Sequence, residues 1–90
     1  MSTATLPGSE LIEQGLHDIA AGAETVESLL VAIAAPRLRT LGYAVPTGAE
    51  HPELRLYTLL TGQYGDGGHA RYNALIRRLV SFQRAAACAR

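Results

Sequence analysis

The stretch HARYNALIRRLVSFQRAAA, residues 69–87, decides the fold. Tyr72, Leu75, Ile76, Leu79, Phe82 and Ala86 recur in it at three- and four-residue intervals, the period that stacks side chains on one side of an α-helix. Arg71, Arg77, Arg78, Ser81 and Arg84 fill much of the remaining circumference. No strand-like alternation competes with this pattern. A helix with one apolar side must bury that side against other elements, so the rest of the chain is read for what covers it.

Upstream, Gly65-Asp66-Gly67-Gly68 reads as a turn, with Asp66 placed to cap the final helix. Before it a helix opens at Pro52, whose missing N–H costs nothing at a first helical position, with Glu53 at the positive end of the helix dipole. Leu56, Tyr57, Leu60 and Tyr64 make its inner face, and His51 is expected to help cap it. Residues 42–51 contain Pro46 and Gly48, lack periodicity and read as a loop. Further upstream, Val26, Leu29, Leu30 and Ile33 form the stripe of a helix that begins near Glu24 or Thr25. Pro36 interrupts it. An interior proline loses a hydrogen bond and clashes with the carbonyl four residues back, at a cost of about 3 kcal/mol. The expectation is a sharp kink, or a new short helix that starts at Pro36 and stops at Gly42. The first helix runs from Ser9, as N-cap, to Ala21, with Leu11, Ile12, Leu16 and Ile19 inside and Gly22 as the stop.

These segments predict an all-α fold: a compact bundle of four to five short helices, the last longest, in a single domain over residues 1–90. Residues 1–8 are expected to be flexible and 87–90 to fray. The chain has 90 residues and 48% apolar content, much of it alanine, so the core is small and dimerisation would offset that. Cys88 is the single cysteine, which excludes an intramolecular disulfide and fits a reducing compartment. The uncharged apolar run Ser28–Pro36 is too short to span a bilayer, and Met1–Thr5 shows no basic leader. A soluble cytoplasmic protein is expected. Arginine without lysine, together with abundant alanine, points to a GC-rich bacterial genome.

The motifs for chemistry are weak. Gly65-Asp66-Gly67-Gly68-His69-Ala70 matches G-x-G-x-x-A by letters, but a helix precedes it and Asp66 would repel phosphate. A Walker A loop needs a lysine, and there is none. Glu13 and His17 have the spacing of a helical metal pair, which is more often a solvated face, and nothing in the pattern makes His17, His51 and His69 converge. Ser9 and Ser28 read as capping or packing residues, Ser81 as exposed, and Cys88 as a terminal thiol without a pocket. No catalytic, cofactor-binding or metal residue is assigned.

Charge carries more. Residues 1–35 hold five carboxylates and no arginine, a net −5, whereas residues 36–90 hold eight arginines against three carboxylates, a net +5. The halves face each other within a chain or across a dimer, or the basic half faces an acidic partner. Arg71, Asn73, Arg77, Arg78 and Arg84 are the candidate contact set. The zero overall charge, Tyr72 within the apolar stripe and the glycine-rich link upstream weigh against a groove-reading helix. The expectation is a non-enzymatic protein–protein interaction or accessory module, self-associating as a homodimer. A nucleic-acid-binding regulator using the arginine face is the alternative.

Overall fold

Thr25 starts the central helix. Its hydroxyl accepts the Ser28 amide at 3.0 Å, and the Ser28 hydroxyl accepts the Thr25 amide at 2.8 Å. This reciprocal box satisfies two backbone donors that a helix start leaves open. The computed structural model describes residues 6–46 and 50–88. In it the helix that Thr25 caps, α2 (Val26–Thr40), buries Leu29, Leu30, Val31, Ala34, Ala35 and Leu38. It touches each of the other helices and forms the middle of the molecule.

Pro36 lies inside α2, which is helical on both sides of it, so no new helix begins there. The reason is tertiary. Both ends of α2 are fixed and its buried residues lie on either side of the proline, so packing outweighs the local penalty. At its C-terminus the Gly42 amide bonds the Arg39 carbonyl and the Tyr43 amide bonds the Leu38 carbonyl, a paired closure that sequence reading placed at Gly42.

The preceding helix, α1 (Ser9–Ala20), closes in the same way on Gly22. Its start differs from expectation. Gly8, not Ser9, is the N-cap, and Ser9 is a buried first-turn residue. A turn joins the Ser9 amide to the Leu6 carbonyl and seats Gly8 against the Arg78 carbonyl of the last helix. Along α1, a methyl group at Gly15 would lie 2.3 Å from the Glu27 carbonyl oxygen, so α1 and α2 meet there backbone to backbone.

α3 (Pro52–Tyr64) opens on its N1 proline as expected. His51 holds the N-cap position in a left-handed conformation but makes no side-chain cap, a second correction. Leu56 and Leu60 are buried, whereas Tyr57 and Tyr64 stay over a third exposed, turned toward the last helix rather than the core. That helix, α4 (Gly68–Cys88), follows a three-residue 3-10 turn, Gly65–Gly67. Asp66 sits within the turn and makes no capping hydrogen bond among the described residues. Gly65 carries φ 58° and ψ −125°, a backbone region open in practice to glycine alone. The chain reverses there, and Tyr57 packs edge-on to Tyr72 at 5.6 Å between ring centroids.

The described residues therefore form an all-α globule, but not four to five separate short helices. Counted as unbroken helical stretches there are three, and the last, residues 52–88, is the longest at 37 residues, folded back at Gly65. The radius of gyration is 12.6 Å, close to the roughly 12 Å typical of a globule this long. Phe82, Ile12, Leu29, Leu30, Leu38, Leu56, Leu60 and Val31 are the fully buried side chains. No described helix is long and apolar enough to cross a membrane.

Candidate interaction face of the last helix

The apolar stripe of α4 fixes where its polar residues point. Leu79, Phe82 and Ala86 are buried, and Tyr72, Leu75 and Ile76 border them. At 3.6 residues per turn the candidate contact residues divide into two sets. Arg71 and Arg78, seven apart, flank the stripe on one side. Asn73, Arg77 and Arg84 share the outward side.

The flanking pair is engaged within the chain. The Arg71 guanidinium lies 4.2 Å from the centre of the Tyr64 ring, a cation–π stack. Arg78 forms an ion pair and hydrogen bond with Glu10 at the start of α1. Both side chains of that pair are at least half exposed, so the contact contributes about 0–1 kcal/mol and mainly fixes orientation. The outward set is different. Arg77 and Arg84 are exposed and make no ion pair among the described residues. The Asn73 amide nitrogen lies 3.1 Å from His69 Nε2 and donates to it when that nitrogen carries no proton.

Two open grooves adjoin along the Arg78 flank of α4 and share Ala74 and Arg78. One, about 380 Å³, runs past Pro7, Gly8, Arg77 and Ser81. The other, about 360 Å³, is walled by Val26, Glu27, Leu60, Tyr64, Arg71 and Leu75. The surface is thus more sculpted than a small alanine-rich bundle suggests, although both grooves are open to solvent. Chemically the face offers forked guanidinium donors, which match carboxylate and phosphate oxygens.

Of the other residues considered from sequence, His69 lies beside Asn73 and Ser81 lines a groove with Arg77. Ser9 and Ser28 are buried, and the Ser28 hydroxyl donates to the Thr25 carbonyl at 3.0 Å. His17 is exposed on α1, His51 precedes α3, and His69 meets the Tyr57 ring edge-on. Among the described residues no group of three His, Cys, Asp or Glu side chains is placed to hold a metal. Cys88 is exposed at the end of α4. The helix before Gly65 denies the G-x-G-x-x-A letters the strand they need.

Several organising contacts went unread in the sequence. Asp18 accepts hydrogen bonds from the Thr25 hydroxyl at 2.7 Å and the Gln14 amide at 2.8 Å, which together hold its carboxyl below the usual range. Only the Gln14–Asp18 spacing, one helical turn, signals this. Arg39 donates to the Val45 carbonyl at 2.9 Å and so pins the chain after α2. Arg55 pairs with Glu24 at 2.5 Å on the surface. Burial raises the Tyr43 phenol above its ordinary value, and the Glu13 charge adds to the rise. The chain matches no family model, no curated protein and no solved structure.

Proposed function

We propose that this chain is a non-enzymatic protein–protein interaction module, an accessory or regulatory subunit that self-associates through the outward side of α4. The observation that supports it is the placement of Asn73, Arg77 and Arg84 on one side of α4, with both guanidiniums free of ion pairs among the described residues. The occupant we infer from charge is the acidic half of a second copy, residues 1–35, which carries five carboxylates and no arginine, although Glu10 and Glu24 are already paired with Arg78 and Arg55 in their own chain. In a two-fold dimer each copy supplies both surfaces, so every contact is made twice. Exposed pairs are individually weak, about 0–1 kcal/mol, and act chiefly on partner choice and encounter.

The test is molecular mass by light scattering over a concentration series. The wild-type chain is expected to dimerise, and Arg77→Glu combined with Arg84→Glu is expected to weaken the dimer at least tenfold. A doubly reversed protein that dimerises like wild type overturns the reading. Titration with labelled DNA and RNA at low salt separates the alternative. A monomer that binds either, and loses affinity steeply as salt rises, is a nucleic-acid-binding regulator instead.

A further inference from the structure

The chain reverses between α3 and α4 at one residue, and the closed arrangement is held by Gly68 packed on the Thr61 backbone, the Arg71–Tyr64 stack and the Tyr57–Tyr72 contact. From Pro52 to Cys88 the chain passes from α-helix to a 3-10 turn and back to α-helix, with no extended residue between. The fold-back is set by Gly65, whose φ of 58° and ψ of −125° lie outside any helical region. Gly67, by contrast, does not have positive φ, and a methyl group there would make only ordinary contact with Tyr64. Glycine is also the poorest helix former after proline, so the composition of this linker opposes straightening.

We propose that Gly65 is a hinge, and that when it adopts helical angles α3 and α4 become one straight helix that hands α4 to a second copy of the chain. The occupant follows from what α4 leaves behind. Its stripe of Leu79, Phe82 and Ala86 is buried against the other helices, and straightening exposes it together with the site it filled. The surface that refills that site side chain by side chain is the same helix from another copy, in exchange for its own. The Tyr57–Tyr72 stack and the Glu10–Arg78 pair, made within one chain in the closed form, are then made between chains. This exchange is independent of the charged face of α4. A dimer held by that face separates on charge reversal, whereas an exchanged dimer separates only when the core opens.

Alanine at position 65 tests the hinge directly. Gly65→Ala penalises the closed turn and favours the continuous helix. The expected result is a dimer in light scattering that is retained when Arg77→Glu and Arg84→Glu are added, whereas the same reversals return the chain with Gly65 to monomer. Gly67→Ala is expected to leave the mass unchanged. Spin labels on Leu54→Cys and the native exposed Cys88 report the shape. In the closed form both lie within a molecule whose longest dimension is 38 Å. In the straight form they are about 50 Å apart within one chain, measured in Gly65→Ala diluted with unlabelled protein. A folded Gly65→Ala monomer, or a dimer with the short distance, overturns the proposal. If Gly65→Ala does not fold, the labelled Leu54→Cys chain, otherwise wild type, is refolded at millimolar concentration. A dimer with the long distance then supports the hinge, and recovery of monomer alone overturns it.

Discussion

Gly15 and Gly62 are both interior helical glycines, and alanine is expected to act on them in opposite directions. At Gly62, in α3, nothing lies within 4 Å of the added methyl. Gly62→Ala therefore recovers helix propensity and stabilises by about 0.5–1 kcal/mol. At Gly15 the methyl would meet the Glu27 carbonyl oxygen at 2.3 Å and Val31 Cγ2 at 2.4 Å. A backbone oxygen cannot swing aside as a long side chain can, so α1 and α2 must separate. Overpacking of this kind costs about 1–3 kcal/mol, more than the propensity gained. For a chain this long, thermal unfolding followed by circular dichroism shifts by about 4–8 °C per kcal/mol. The midpoint is expected to rise for Gly62→Ala and fall for Gly15→Ala, and shifts of one sign would refute the close approach. The sequence holds one trace of this difference: Gly15 follows Ile12, a fully buried residue, by three, whereas Gly62 follows only the half-buried Leu59 at that spacing.

The corner between α1 and α2 behaves as a unit, and its acid sensitivity belongs to Asp18. The Thr25 hydroxyl that caps α2 donates to Asp18, and Gln14 donates from within α1, so one carboxylate ties the two helices together. These bonds depress the Asp18 pKa below its usual 3.8. A depressed carboxyl stabilises the fold fully above the unfolded value, and that contribution is lost as pH falls through the lower folded value. Asp18→Asn is thus expected to lower the unfolding midpoint at pH 7 and pH 5, with the gap to wild type closing below pH 3.8. Midpoints recorded from pH 7 to pH 2 check this, and a gap that ignores pH would mean the charge is not what binds the corner. The stops at Gly22 and Gly42 and the start at Pro52 were legible in sequence, because they act locally and need no distant partner, whereas the caps expected of Ser9, His51 and Asp66 did not form among the described residues. Pro36 was not, because the packing that keeps α2 continuous comes from helices far away in sequence. Nor were Tyr57 and Tyr64: periodicity places them inward on α3 but does not distinguish the core from the flank of α4.

At the scale of the whole molecule, the candidate face was legible as a set of residues but not as a surface. The i, i+4, i+11 spacing of Asn73, Arg77 and Arg84 is written in the chain, yet the engagement of Arg78 depends on Glu10, 68 residues away, which no local pattern reaches. The core has the same long-range character, and Phe82 is its junction. Phe82 is fully buried, its ring centroid lies 5.9 Å from that of Tyr43 after α2, and its Cβ lies beside Gly8 before α1. Phe82→Ala is expected to cost about 3–5 kcal/mol. A domain of this length has about 5–13 kcal/mol to lose, so the urea midpoint should fall by roughly a quarter or more. Tyr43 reports whether the loss is felt where Phe82 sits. Burial first, and the Glu13 charge second, raise its phenol above 10.0. A raised acid stabilises the fold fully below the unfolded value, and that contribution is lost as pH rises through the higher folded value. In wild type, absorbance titration is therefore expected to include a tyrosine step above 10.0 that Tyr43→Phe abolishes. In Phe82→Ala, under conditions where the variant is still folded, the late step is expected to move back toward 10.0 as water reaches the phenol. A folded variant that keeps the late step would show that side chains other than Phe82 keep water from the Tyr43 phenol.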